Sequence, residues 1–173
     1  MDTDKQASLQ FEISDLKFQI VSEAYRCVYL WTISFCGKNI VMNEDLQELV
    51  KAALEVREKA YAPYSEFRVG AAVRTKDGKI YTGCNVESAS YGLTVCAERV
   101  AIWKAVSEGE KEFTNIAVVA DTQELTPPCG VCRQIIWEFC NDIPVTFSNL
   151  NGKTETVTMK ELLPRAFDTK FLK

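Results

Sequence analysis

Thr94-Val95-Cys96-Ala97-Glu98-Arg99-Val100-Ala101-Ile102-Trp103-Lys104-Ala105, then Ile116-Ala117-Val118-Val119-Ala120, then Pro128-Cys129-Gly130-Val131-Cys132-Arg133 follow one another in a chain of 173 residues. In the first segment Ala97, Val100, Ala101, Trp103, Lys104 and Ala105 fit a helix, which is predicted to end before Gly109. The second is short, apolar and bounded by polar residues, which suits a strand covered on both faces. In the third, Thr126-Pro127-Pro128 makes a rigid approach to Cys129, and Arg133 through Phe139 reads as another helix. Helix, strand and helix in close succession point to layered α/β architecture. Cys96, Cys129 and Cys132 fall at the two predicted helix starts, where backbone N–H groups and the helix dipole favour thiolate over thiol.

Working upstream, residues 67–73 and 80–86 read as two strands joined by Arg74-Thr75-Lys76-Asp77-Gly78-Lys79, whose Asp-Gly pair supplies a hairpin turn. Gly70, Ala71 and Ala72 leave room for a helix to pack closely on the first strand, without saying which helix. Before them Leu46, Leu49, Val50, Ala53, Val56 and Ala60 recur at steps of three and four, an amphipathic helix with Glu55 and Lys59 one turn apart. Ala62-Pro63-Tyr64-Ser65 stops it. Downstream, residues 145–150 and 154–158 flank Asn151-Gly152, a second hairpin turn, and a short helix is expected over 159–163, before Pro164. Alternating helices and strands with a hairpin at each end predict a mixed sheet in one domain over residues 43–173. Residues 1–42 are expected to be an N-terminal extension. Their nearly continuous run Val28-Tyr29-Leu30-Trp31-Thr32-Ile33 fits strand or helix and is expected to pack on the domain or across a subunit contact.

Composition narrows the function classes. Hydrophobic residues at 47% and charged ones at 25% lie in the ordinary globular range. Twenty basic against 24 acidic residues leave a formal charge of -4, which disfavours a polyanionic partner such as nucleic acid. Apolar runs fall short of the roughly 20 residues that span a bilayer, and Met1-Asp2-Thr3-Asp4-Lys5 is not a secretory signal, so no membrane partner and a cytoplasmic location are expected. Seven cysteines, an odd number without an export signal, do not read as a disulfide framework. Cys27, Cys36, Cys84 and Cys140 read instead as small hydrophobes.

The other cysteines, Cys96, Cys129 and Cys132, have metal spacing. A catalytic zinc ion takes three protein ligands and keeps a fourth position for water, whereas a structural one normally takes four. The chain has no histidine, so a structural site would need Cys84 or Cys140 to be brought in by the fold. Glu98 weighs toward catalysis, since zinc lowers the pKa of water to about 7 and a nearby carboxylate can accept a proton and return it elsewhere. The same glutamate is also favoured simply as an acidic residue near a helix N-terminus. Three thiolates leave a divalent ion with surplus negative charge. Arg99, about one helical turn beyond Cys96, is expected to offset it in preference to Arg133.

Cys96-Ala97-Glu98 followed by Pro128-Cys129-Gly130-Val131-Cys132 resembles the zinc-dependent nucleoside and nucleotide deaminases, whose pattern is His or Cys, Ala, Glu and then Pro-Cys, a few residues, and Cys. More narrowly, Tyr61-Ala62-Pro63-Tyr64-Ser65-Glu66-Phe67-Arg68-Val69-Gly70-Ala71-Ala72, Gly83-Cys84-Asn85-Val86-Glu87-Ser88-Ala89-Ser90-Tyr91 and Cys96-Ala97-Glu98-Arg99 are similar, in order, to the small homotetrameric cytidine deaminases of free nucleosides. The likeness runs over about residues 43–168 and includes Leu162-Leu163-Pro164-Arg165-Ala166-Phe167. It implies a three-layer α/β/α sandwich with a mixed five-stranded sheet and one zinc ion (Zn2+) per subunit. It implies that Asn85 and Glu87 bind the ribose, that Phe67 lines the nucleoside pocket, and that the Ala97 backbone holds the pyrimidine. Tyr91 and Phe167 match positions at which neighbouring subunits complete the pocket.

The reaction so implied is hydrolytic deamination of cytidine and deoxycytidine to uridine and deoxyuridine with release of ammonia, Glu98 carrying the protons. One alternative is deamination of a modified cytosine nucleoside such as blasticidin S. Glu87 argues against it, because a carboxylate suits paired sugar hydroxyls. Another is a catalytically silent zinc-binding interaction module that recruits a partner through the apolar run near the N-terminus. A polynucleotide substrate would want a basic groove, and no clustered basic stretch supports one.

Overall fold

The computed structural model describes residues 44–172, so the expectations for residues 1–42 lie outside the described residues. The elements in order are α1 (Glu44–Arg57), β1 (Val69–Thr75), β2 (Ile80–Cys84), a 3-10 turn (Tyr91–Leu93), α2 (Ala97–Ser107), β3 (Phe113–Ala120), α3 (Gly130–Cys140), β4 (Pro144–Asn149), β5 (Thr154–Thr158), α4 (Met159–Leu162) and a second 3-10 turn (Thr169–Leu172). The five strands form one mixed sheet in the order β2-β1-β3-β4-β5. β1 pairs antiparallel with β2 and with β3, β3 runs parallel to β4, and β4 pairs antiparallel with β5. Both edge pairs are the predicted hairpins. Gly78 at φ +89° and Gly152 at φ +79° supply the left-handed turn conformation that residues with a Cβ avoid.

The pleat of the central strands separates two helical layers. Ala72 of β1 and Ala117 and Val119 of β3 face Leu49, Val50 and Ala53 of α1. Their neighbours Ala71, Val73, Ile116 and Val118 face the other way, into a core shared with Ala97, Ala101, Ile102 and Ala105 of α2 and Ile136 and Cys140 of α3. This alternation is the period of two expected when both faces of a strand are covered. The result is the three-layer α/β/α sandwich, with α1 on one face and α2 and α3 on the other.

Two glycines bring the layers into backbone contact. A Cβ on Gly70 would lie 2.0 Å from the Ala53 carbonyl oxygen and 2.8 Å from the Arg57 nitrogen, which identifies α1 as the helix seated on β1. A Cβ on Gly83 would lie 2.4 Å from the Ala101 nitrogen and 2.6 Å from the Ala97 carbonyl oxygen, so the first turns of α2 rest directly on β2. The helix predicted to reach Ala60 ends at Arg57, its last carbonyls taken by the amides of Lys59 and Ala60 in a closing turn. Lys59 therefore lies beyond the helix, and Glu55 pairs instead with Lys51 at 3.8 Å. Cys140 is buried as the hydrophobe expected, and burial pushes its thiol up to about 12.

The topology also decides where chemistry can sit. β2 and β3 are each antiparallel to β1 and so point the same way, and β4 points with them. α2 crosses from β2 to β3 and α3 from β3 to β4, both over the same face. Their N-termini therefore meet where β2 and β3 finish, the side of an α/β sheet on which ligands commonly bind. No helix among the described residues is long and apolar enough to cross a membrane.

Candidate active site

Cys96 and Cys129 occupy equivalent places, each the extended residue directly before a crossover helix, with φ/ψ of −72/155° and −64/164°. Cys132 lies in the first turn of α3 and is fully buried. The three sulfur atoms lie within 4.8 Å of one another, and those of Cys96 and Cys129 are 4.0 Å apart. Sulfur ligands about 2.3 Å from a tetrahedral zinc ion stand about 3.8 Å from each other, so the three thiols fit this ion. Among the described residues neither Cys84 nor Cys140 joins the group, so the four-thiolate alternative has no support there. The donor set is soft, and two helix N-termini point toward it, both of which favour thiolates and zinc.

Cys96 carries the most stabilised negative charge. The neighbouring Cys132 thiol lowers its pKa most, and Arg99 and Cys129 add to this, so that against the opposing effect of burial Cys96 is held at about 5. The same contact with Cys96, and burial, raise Cys132 well above an ordinary thiol. Arg99 reaches the Cys96 sulfur through Nη2 at 3.8 Å and donates from the same nitrogen to the Thr94 carbonyl oxygen at 2.8 Å. Its guanidinium lies 5.6 Å from the centre of the Trp103 ring, within cation–π range. Arg133 turns elsewhere, with Nε donating to the Pro128 oxygen and Nη1 to the Leu162 oxygen at 2.8 and 2.9 Å, so it ties the start of α3 to α4.

Glu98, one residue inside α2 from Ala97, is 4% exposed. Burial raises its carboxyl above the ordinary range, and the negative charge on Cys96 pushes it further. A carboxyl so placed takes up and releases a proton nearer neutrality than an exposed glutamate does. Ala97 itself is fully buried against the sheet, which fixes the backbone between the first sulfur and the carboxyl.

The second half of the site is laced together by hydrogen bonds between residues 61–69 and 85–87. Tyr61 donates its amide to the Asn85 carbonyl and accepts from the Glu87 amide, at 3.0 and 2.8 Å. The buried Asn85 side chain accepts from the Val69 amide and donates to the Phe67 carbonyl, both at 2.8 Å. Glu87 Oε2 accepts from the amides of Tyr64 and Ser65 at 2.8 and 3.2 Å, and its Oε1 accepts from the Ser65 hydroxyl. These bonds hold the Glu87 carboxyl below its ordinary value, the Ser65 hydroxyl being the largest influence. Val86, between the two side chains, exchanges backbone hydrogen bonds of 2.9 and 3.0 Å with Val95, and this bridge brings the lacing up to the first cysteine.

Phe67 is partly open at 38% exposure, whereas Tyr91 and Phe167 are 76% and 57% exposed. Tyr91 meets Tyr64 edge to face at 6.0 Å, and Phe167 stacks on Phe171 at 5.9 Å. Gln134, two residues beyond Cys132, donates to the Phe167 carbonyl at 2.9 Å and accepts from its amide at 3.3 Å, so the C-terminal segment is anchored to α3 beside the thiols. Tyr64, Ser65 and Gln134 escaped the sequence reading. Each acts on a partner more than twenty residues away, and only the position of Tyr64-Ser65 within the turn hinted at it.

Comparison with known proteins agrees with this geometry. The family described as "Cytidine and deoxycytidylate deaminase zinc-binding region" matches residues 43–147. A cytidine deaminase of Halalkalibacterium halodurans is 54% identical over 124 residues, 71% of this chain and 94% of that protein. A blasticidin-S deaminase of Bacillus cereus is 36% identical over 132 residues, 72% of this chain and 92% of that protein. The crystal structure of cytidine deaminase from Burkholderia pseudomallei superposes with a TM-score of 0.69 at 48% identity, covering 70% of this chain and 98% of that one. Thiols paired at the starts of two crossover helices, a buried carboxyl beside them and a family match across both place this chain among the zinc-binding cytidine and deoxycytidylate deaminases.

Proposed function

We propose that the chain hydrolytically deaminates cytidine and deoxycytidine, giving uridine or deoxyuridine and ammonia. The observation that carries this reading is the buried Glu98 carboxyl beside three thiols spaced for one zinc ion. Cys96, Cys129 and Cys132 would hold a zinc ion, which would supply the Lewis acidity that brings the pKa of water toward neutrality. Glu98 receives the proton that water gives up and delivers it to N3 of the cytosine ring, which makes C4 electrophilic. Once the water oxygen is bonded to C4, Glu98 takes the remaining proton from that hydroxyl and delivers it to the exocyclic amine, so that the C4–N bond breaks as the C4 carbonyl forms and ammonia leaves. Burial supports both duties, because it brings the affinity of the carboxyl for a proton closer to that of its exchange partners. Arg99 offsets part of the negative charge of the sulfurs through its contact with Cys96.

At the other end, Phe67 lines the nucleoside pocket, Asn85 and Glu87 bind the ribose, and the Ala97 backbone holds the pyrimidine. Their support is position: the Val86–Val95 bridge sets this end beside Cys96. The catalytic domain is assigned to residues 43–173, with 1–42 as an extension, and the protein to the cytoplasm. Neighbouring copies in a homotetramer supply Tyr91 and Phe167 to complete each pocket. Supporting this, Leu93 in the first 3-10 turn and Phe171 and Leu172 in the second are 71%, 62% and 72% exposed, apolar surface that a neighbouring copy would cover.

The test is uridine formation by purified protein with zinc measured in the same sample, using cytidine, deoxycytidine, blasticidin S and single-stranded DNA. Conversion of the two nucleosides ahead of the others is expected. Zinc-loaded protein faster on blasticidin S would transfer the function to the modified nucleoside, and loaded protein inert on all four would leave a binding module. Sedimentation of the same sample reads the tetramer.

A further inference from the structure

We infer that Ser65 is a positioning residue for sugar recognition, orienting Glu87 so that one oxygen atom, Oε1, accepts the ribose hydroxyl. This rests on the proposed role of Glu87 as a ribose contact. The geometry is specific about which atom remains available. A carboxylate offers about four acceptor sites, two on each oxygen. Both sites on Oε2 are filled, by the amides of Tyr64 and Ser65, while Oε1 carries only the Ser65 hydroxyl. A sugar hydroxyl therefore joins the Ser65 hydroxyl on Oε1.

Ser65 acts on the nucleoside side as well. Its Oγ accepts from the Phe67 amide at 3.0 Å, while the Phe67 carbonyl is taken by Asn85 Nδ2 at 2.8 Å. Both backbone polar groups of Phe67 are thus committed, and between Ser65 and Phe67 the chain passes through Glu66 at φ +58°, a left-handed conformation uncommon for a residue with a Cβ. One hydroxyl thereby sets the spacing between the ring that lines the pocket and the carboxylate that reads the sugar. The lowered pKa of Glu87, to which the Ser65 hydroxyl contributes most, agrees, since it favours the ionised, accepting carboxylate.

The experiment measures competitive inhibition of cytidine turnover by uridine and by 2′,3′-dideoxyuridine, which lacks the two hydroxyls, in the wild-type chain and in Ser65→Ala, with zinc content and melting temperature recorded. In the wild type uridine should bind roughly ten-fold or more tightly than the dideoxy compound, as a hydrogen bond to a charged group implies. In Ser65→Ala that preference should shrink to about two-fold or less, and Ser65→Thr, which keeps the hydroxyl, should restore it. If the alanine variant does not fold, Ser65→Cys, nearly the same size with a weak donor, takes its place with the same expectation. Equal weakening of both inhibitors, or an undiminished preference, overturns the inference while leaving the deaminase reading intact. Absence of any preference in the wild type removes Glu87 from sugar binding and the inference with it, whereas failure to form uridine from cytidine defeats the reaction itself.

Discussion

The two ends of the site are held in place by different physics. The thiol end is set by the sheet: parallel β2 and β3 feed two crossover helices, and Gly83 lets α2 sit backbone on backbone, so Cys96 and Cys129 have nowhere else to go. The end proposed to bind the sugar is set by polar bonds between two loops, with Asn85 and Glu87 reaching across to residues 64–69. Packing of this kind fails all at once, because interiors tolerate little change of volume. Hydrogen bonds at a partly exposed site fail by degrees.

Substitutions sharpen that contrast. Cys132→Ser, which removes a buried ligand, should abolish stoichiometric zinc and lower activity by more than about 10⁴-fold, since the activated water goes with the metal; metal analysis of the purified variant reads this directly. Glu98→Ala should keep its zinc and still lose about 10³-fold in turnover. A near-normal rate there would remove Glu98 from proton transfer. Gly83→Val forces side-chain atoms into the Ala97 and Ala101 backbone and should destabilise the fold by about 3 kcal/mol, visible as a lower denaturation midpoint. A tolerated valine would show that α2 is free to shift, contrary to the contrast drawn above.

Smaller effects follow where bonds rather than packing are removed. Arg99→Gln should weaken zinc binding by roughly ten-fold to a hundred-fold in a chelator competition, because the guanidinium no longer supports Cys96. Unchanged affinity would make Arg99 a packing residue held by Trp103. The mildest effect belongs to Glu87→Gln. The carboxyl of Glu87 lies below its ordinary value of 4.5 in the folded chain, so its contribution to stability is complete above that value and is lost as pH falls through the lower folded one. The melting temperatures of wild type and variant should therefore differ above the ordinary carboxylate range and converge as pH falls below it. A constant gap would mean the lacing does not depend on charge.

That division also explains which parts of the fold and site are legible in the sequence. The elements around the thiols were legible because their cues are local: apolar residues at helical steps in residues 97–105, an apolar strand at 116–120, and Asp77-Gly78 and Asn151-Gly152 at hairpin turns. The thiol spacing alone left a fourth sulfur possible, and only the fold separates Cys84 and Cys140 from the group. Apolar spacing predicts three more residues of α1 than form, because it continues through Ala60 after the backbone has turned. At the proposed sugar-binding end, family order points to Glu87 and Asn85, but nothing local announces that Ser65 will meet a carboxylate 22 residues later. Long-range polar pairing has no periodicity, so it leaves no pattern in the chain.

One consequence of the thiol geometry concerns the life of the protein as much as its chemistry. Cys96 and Cys129 are 33 residues apart and belong to different helices, so an ion bound by both closes a loop across β3 much as a cross-link would. Folding then inherits a dependence on metal supply. Each ten-fold rise in free zinc above the dissociation constant adds about 1.4 kcal/mol of stability, and chains made during zinc scarcity should be the first to fall to proteases.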